Sequence, residues 1–263
     1  MKKIFIILAA VVCLVGCSSK GSGSAEFTVN NQGGKVVFSP GNLQYQASTD
    51  TWRFAEHQWD VLEYENKNIS KTYDGWIDLF GWGTGNNPTC YSEKDINYKE
   101  FVDWGVNPIS NGGNMPNEWR TLTAEEWYYV LCERPHADKL RSIGVVNNVG
   151  GYIILPDNWS KPFGVHFTPD ALNWDNVYYD ENWEKMEKAG AAFFPWGGIR
   201  YGKGDDLFMT NTGEYWSSSV DRWKEPLTFS TDNAINRYLG LKNIDSSIRC
   251  QGISVRLVKD IKP

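Results

Sequence analysis

Trp119-Arg120-Thr121-Leu122-Thr123-Ala124-Glu125-Glu126-Trp127 carries a helix start in its second half. The Thr123 hydroxyl can accept from the first unpaired backbone N–H groups, and Glu126 stands at the capping-box spacing three residues on. Trp127, Val130, Leu131 and Leu140 continue as a broken apolar face, so a helix is expected over Thr123 to Leu140. Pro135 cannot donate within a helix and clashes with the preceding turn, so a break is expected near Arg134.

The sequence on either side reads as short strands. Upstream, Glu26 to Gln46 reads as two strands around turns, with Lys35-Val36-Val37-Phe38-Ser39 the most β-prone run and Ser39-Pro40-Gly41-Asn42 a turn signal. Thr51-Trp52-Arg53-Phe54 reads as the next strand. Downstream, Val145 to Leu155 reads as a hairpin that Pro156-Asp157-Asn158-Trp159 closes. The polar stretch Ala171 to Ala189 holds a second helix over Asn182 to Lys188, expected on a lobe away from the main core. Strands follow over Ala191–Pro195, Gly213–Ser217, Pro226–Ser230, Ile235–Leu241 and Gly252–Val258. In the last of these, Ile253-Ser254-Val255-Arg256-Leu257-Val258 alternates as a half-buried strand does. The class is α+β, without internal repeats.

Residues 64–118 lack periodicity. Gly75-Trp76-Ile77-Asp78-Leu79-Phe80-Gly81-Trp82-Gly83-Thr84-Gly85 is loop-like, yet too aromatic for disorder. A loop of this length is expected to pack on its own side chains and can carry function.

The chain opens Met1-Lys2-Lys3, followed by an apolar run from Ile4 to Val15. Spanning a bilayer core takes about 20 apolar residues. The shorter run here has the form of a signal-peptide core. Leu14-Val15-Gly16-Cys17 resembles the bacterial lipobox, in which the last thiol receives a diacylglycerol and becomes the new N-terminus. Residues 1–16 are therefore expected to be a signal peptide, with Cys17 the lipidation site. Residues 17–25 follow as a lipidated Cys and a Gly/Ser-rich tether. Buried acyl chains at about 0.8 kcal/mol per CH₂ make such an anchor durable. Ser18 resembles outer-membrane sorting, so the expected location is the cell envelope, on the outer membrane, with the face left open.

The net charge is −6, and Lys2 and Lys3 leave with the leader. An acidic body without a basic run argues against nucleic acid as a partner. The chain holds 13 Trp, 13 Tyr and 12 Phe. Flat rings can stack on ligands, but most of these are expected to build a core in a body rich in loops and short strands. Cys90, Cys132 and Cys250 remain in the body. Three thiols allow one disulfide at most, and the sequence leaves open whether Cys132 and Cys250 pair or all three stay buried and unpaired. None lies in a CxxC or beside a His cluster, so neither metal nor cofactor is expected.

The order of four segments resembles bacterial C-type-lectin-like domains: Trp119 to Trp127, Gly198-Ile199-Arg200-Tyr201, Tyr215-Trp216-Ser217-Ser218-Ser219, and Ser254-Val255-Arg256-Leu257-Val258. That pattern is shared by the formylglycine-generating group, by paralogous lipoprotein domains of Bacteroides and Fibrobacter type, and by retroelement-diversified variable proteins. Phe38-Ser39-Pro40-Gly41-Asn42-Leu43-Gln44-Tyr45 to Trp59, with Gly75 to Gly83, is similar to the lipoprotein group in particular. The resemblance implies a single domain over 26–263. Small twisted antiparallel sheets are flanked by helices, long loops join them, the chain ends lie close together, and a loop region is inserted at about 60–118.

The resemblance also bears on function. Formylglycine generation needs a Cys pair close together in a late loop, where this chain has only Cys250, so the activity is not carried over. A sugar-binding calcium site in this fold needs a loop rich in oxygen ligands, whereas Glu225-Pro226-Leu227 places a leucine there. His57, His136 and His166 are far apart and read as surface or capping residues. No carboxylate pair or nucleophile motif marks a hydrolase. Trp216, Arg200 and Arg256 are expected to serve structure.

In the diversified proteins the stretch corresponding to Trp216–Gly252 displays ligand-binding side chains. By position these are Asp221, Arg222, Trp223, Asp232, Asn233, Asn236, Arg237 and Tyr238. The expected function is a non-enzymatic, lipid-anchored module that recognises an extracytoplasmic protein or glycan through the face at about 220–240. One alternative is a polysaccharide-active enzyme or accessory subunit, which requires a Trp-lined cleft with two facing carboxylates. Another is a structural surface lipoprotein, which requires a large flat apolar patch.

Overall fold

Thr123 caps its helix as the spacing requires. Its Oγ1 accepts from Glu126 N at 3.1 Å, and Glu126 Oε2 accepts from Thr123 N at 2.8 Å. The structure is a computed structural model that describes residues 25–262 except 99, 172, 205, 209–212 and 231–243. Helix α1 covers Ala124–Tyr128 and passes into a π turn over Tyr129–Glu133. It ends at Arg134, which is extended (φ −60, ψ 152) as the residue before a proline must be. The helix expected to run on to Leu140 therefore stops earlier, and only a single 3₁₀ turn, Ala137–Lys139, follows. Arg134 is buried against the freed carbonyls: Nε donates to Val130 O at 2.7 Å and Nη2 to Leu155 O at 2.7 Å.

The strands in chain order are β1 (Phe27–Thr28), β2 (Lys35–Phe38), β3 (Leu43–Gln46), β4 (Thr51–Phe54), β5 (Leu79–Phe80) and β6 (Arg120–Thr121). Next come β7 (Arg141–Val146), β8 (Val149–Ile154), β9 (Val177–Tyr178), β10 (Ala192–Pro195), β11 (Ile199–Tyr201) and β12 (Asp206–Phe208). The last are β13 (Glu214–Val220), β14 (Pro226–Ser230), β15 (Ile244–Ser246), β16 (Ile253–Ser254) and β17 (Leu257–Asp260). Helix α2 covers Asp180–Lys188. They form three small sheets, ordered β1-β2-β17-β6, β10-β8-β7-β9 and β15-β14-β13-β16-β5, and two hairpins, β3-β4 and β11-β12. The class is α+β with small sheets. Pairing is mostly antiparallel, but β9 joins β7 and β16 joins β13 in parallel. The first and last strands share a sheet, with Val36 opposite Asp260 and Phe38 opposite Val258.

The hairpin read at Val145 to Leu155 begins earlier, at Arg141. Asn147 and Asn148 make its turn at φ 48 and 68, a conformation suited to two-residue hairpins and tolerated by asparagine. Its sheet is buried on both faces. Tyr152, Ile154 and Phe194 face one core cluster, with Trp127, Tyr215 and Phe229. Ile153 and Phe193 face another, with Trp183 and Met186 of α2. Helix α2 thus covers the sheet's second face rather than forming a lobe apart.

The Gly252–Val258 segment also departs from expectation. It is two short strands, and both side-chain parities are buried. Ile253, Val255 and Leu257 enter a cluster with Trp52, Trp82, Trp104 and Trp216, while Val258 enters the cluster of Trp127. The break at Val255-Arg256 passes the chain from one sheet to the next. Upstream, the Glu26 to Gln46 segment forms three strands, not two. The strand expected over Ile235–Leu241 lies outside the described residues.

The 60–118 region is built on side-chain clamps to backbone. Asn66 Oδ1 accepts from Asp78 N and Leu79 N, both at 3.0 Å, and Asn66 Nδ2 donates to Asp78 Oδ1 at 2.8 Å. Asp103 accepts from Gly105 N at 2.9 Å and from Thr121 N at 2.9 Å, which fixes the region's exit onto β6. Gly105 tolerates no side chain, because a Cβ there would lie 1.8 Å from Trp119 O.

Arg200 and Arg256 lie buried in the core. Arg256 donates to Asn42 Oδ1 at 3.3 Å and Gln58 Oε1 at 3.0 Å. Burial pushes both guanidiniums down to about 10. Trp216 Nε1 donates to Phe80 O at 2.6 Å.

Candidate functional site

The β13–β14 connection is a tight turn that Asp221 builds. Its Oδ1 accepts from Trp223 N at 2.8 Å and Glu225 N at 2.9 Å, and Lys224 adopts φ 68. Short side-chain acceptors of this kind replace backbone partners in turns. The result thrusts Trp223 outward, with 67% of its surface exposed. The Arg222 guanidinium lies 3.7 Å from the centroid of that ring. An exposed cation–π contact is worth about 0.5–1 kcal/mol, enough to bias one shared rotamer.

Arg249 braces the turn from beneath. Its Nη2 donates to Lys224 O, and its Nη1 donates to Tyr98 O at 3.3 Å. Its guanidinium also sits 4.5 Å over the Trp82 ring. One side chain thereby joins the turn, the 247–252 segment and the 82–102 segment. Trp82 N donates to Arg249 O at 2.9 Å, which pins the same junction by backbone. Two cavities flank it. One of about 310 Å³ is lined by Glu214, Glu225, Ser247, Ile248 and Gln251. The other, about 340 Å³, includes Trp82, Asn86, Asn87, Cys90, Tyr98 and Glu100 in its lining.

Of the ligand-binding residues expected from the sequence, Asp221, Arg222 and Trp223 share this turn. Arg222 and Trp223 are on display, whereas the Asp221 carboxylate holds the backbone and so positions the other two. Asp232, Asn233, Asn236, Arg237 and Tyr238 lie outside the described residues. Cys17 and the leader do too.

Two features were not anticipated. Arg249 carries no signal in sequence, since its role depends on the carbonyls of Lys224 and Tyr98, 25 and 151 positions away. A groove of about 760 Å³ also runs along α1, lined by Asn30, Gln32, Glu125, Tyr129, Glu133 and Ile244 among others. The π turn that shapes it follows from Pro135 ending the helix early.

The three histidines are dispersed. His57 stacks on Trp59 at 4.5 Å, His136 caps the 3₁₀ turn at φ 61, and His166 meets Thr168 Oγ1 at 2.8 Å. Among the described residues no three His, Cys, Asp or Glu side chains converge as a metal site would need. No helix among them is long and apolar enough to cross a membrane. No family model matches the chain, and neither does any curated protein or solved structure.

Proposed function

We propose that this chain is an exported, lipid-anchored binding module with a C-type-lectin-like fold, recognising an extracytoplasmic protein or glycan without metal. The observation that carries the reading is the Arg222–Trp223 pair, displayed on a turn that Asp221 and Arg249 hold rigid. An aromatic ring with a fixed guanidinium offers large contact area at little ordering cost, the mark of interface anchors. The pairing of β2 with β17 and the packing of α1 against β13 and β14 fit the expected architecture. Cys17 would carry the anchor, and residues 18–24 would give the body reach from an outer-membrane surface.

The test is a glycan and protein array probed with residues 25–263, with and without EDTA. Binding that survives EDTA and is lost in Trp223→Ala supports the reading. Binding that ignores Trp223→Ala and Arg222→Ala places recognition elsewhere on the molecule.

A further inference from the structure

The 82–102 segment folds back on itself through backbone bonds. Gly85 N donates to Val102 O at 3.0 Å, and Val102 N donates to Gly83 O at 3.1 Å. Gly83 permits that approach: it adopts φ 66, and a Cβ there would lie 2.6 Å from Phe101 Cα. Two successive turns follow, with Asn87 N donating to Thr84 O and Cys90 N to Asn87 O, both at 3.0 Å. On the returning arm, Tyr98 lays its ring on Gly81, where a Cβ would meet Cε1 at 2.3 Å, and its hydroxyl donates to Ser92 O at 2.9 Å. Both arms line the cavity of about 340 Å³.

Trp82 and Tyr98 are 5% and 4% exposed, and they give this cavity an apolar wall. The Trp82 ring packs on the Arg249 guanidinium at 4.5 Å and on Phe101 at 5.0 Å, which fixes its orientation. The remaining lining includes Asn86, Asn87 and Glu100, all exposed. Their side chains have no hydrogen-bond or ion-pair partner among the described residues. The neighbouring Asn107 shows the contrast, since its amide donates to Gly85 O at 2.8 Å and to Trp104 O at 3.1 Å. Two amides offer both donors and acceptors, and a carboxylate offers acceptors only. Adjacent hydroxyls on one ring each donate and accept, so a sugar can satisfy all three groups while its C–H surface meets the apolar wall. The Glu100 carboxylate disfavours an anion. The volume lies at the small end of ligand pockets, about 300–1,000 Å³, and suits a single ring.

We propose that the 82–102 cavity is a saccharide site that takes one uncharged sugar ring, with Asn86, Asn87 and Glu100 bonding its hydroxyls. This site shares no binding side chain with the Arg222–Trp223 turn and goes beyond the function assigned to that turn.

The test uses the full-length chain with the methyl glycosides of glucose, galactose, mannose and N-acetylglucosamine, followed by saturation-transfer NMR. N-acetylglycine amide serves as the peptide control. The expected result is transfer to at least one glycoside, with affinity reduced about tenfold in Asn87→Ala and in Glu100→Gln and unchanged in Trp223→Ala. Both substituted side chains are exposed and unpaired, so these variants should melt with wild type. All three thiols are free, and Cys90 lines the cavity, so the bound glycoside should slow alkylation of Cys90 and leave Cys132 unaffected. No transfer to any of the four glycosides overturns the proposal, as does binding that both cavity variants retain, or equal binding of the peptide control. Binding lost only in Trp223→Ala also overturns it, by placing the sugar on the turn.

Discussion

Asn66 and Asp78 hold each other at both levels of the chain: the Asn66 carbonyl oxygen takes the Asp78 backbone N–H at 3.0 Å while its amide donates to the Asp78 carboxylate at 2.8 Å. The carboxylate is fully buried, and burial pushes it up to about 6 from 3.8. An acid raised on folding contributes stability below its unfolded value that is lost as pH rises through the folded one. Stability should therefore fall from pH 4 to pH 7, with Asp78 accounting for about 3 kcal/mol of the change. Urea unfolding across that range measures it, and Asp78→Asn should flatten the profile.

Thr123→Ala removes half of the capping box that starts α1. Loss of such a cap costs about 1 kcal/mol, so the urea midpoint should shift accordingly. Ser219 Oγ accepts a second N–H of the same turn, from Ala124 at 3.1 Å, so the helix should persist by circular dichroism.

Gln58 is the acceptor that meets Arg256 Nη2 at 3.0 Å, and it also accepts from Phe193 N at 2.6 Å. Gln58→Leu leaves a buried cation short of a partner and orphans a backbone N–H. A loss of about 2–4 kcal/mol follows from those two deficits. Equilibrium unfolding of Gln58→Leu beside Gln58→Glu checks it, and the glutamate should recover part of the loss.

Trp216 is wholly buried between Phe80 and the C-terminal strand residues. Trp216→Ala should cost about 3–5 kcal/mol and lower the melting temperature sharply. Trp223→Ala, at an exposed turn, should stay within about 1 kcal/mol of wild type, the worth of its contact with Arg222. A fold defect and a recognition defect are thus separable by calorimetry alone.

The elements that were legible in sequence are those fixed by short-range chemistry. Thr123 with Glu126, Pro135 after Arg134, and the alternation at Thr51–Phe54 each act within a few residues. Pro226–Ser230 is bounded as its composition implied. Among the described residues most aromatic rings are buried in the core or packed partly buried against it, as the loop-rich composition implied. What escaped depended on remote partners. The C-terminal strand looked half-buried because Ser254 and Arg256 are polar, yet both sink to about 1% exposure, Arg256 onto the amide oxygens of the remote Asn42 and Gln58. Parallel pairing of β9 with β7 has no local signature. In the candidate site, Arg222 and Trp223 could be named by position, but the bracing by Arg249 required the fold.

The handover at Val255-Arg256 makes the last strands a mechanical member as well as a structural one. A pull applied at residue 25 enters β1, passes through the β1-β2-β17 ladder, and crosses into β16 along covalent bonds. From β16 it reaches β13 and the turn that displays Trp223. The load path from a tether to a held ligand would cross two strands of only two residues, β1 and β16, with Arg256 buried at the handover between β16 and β17.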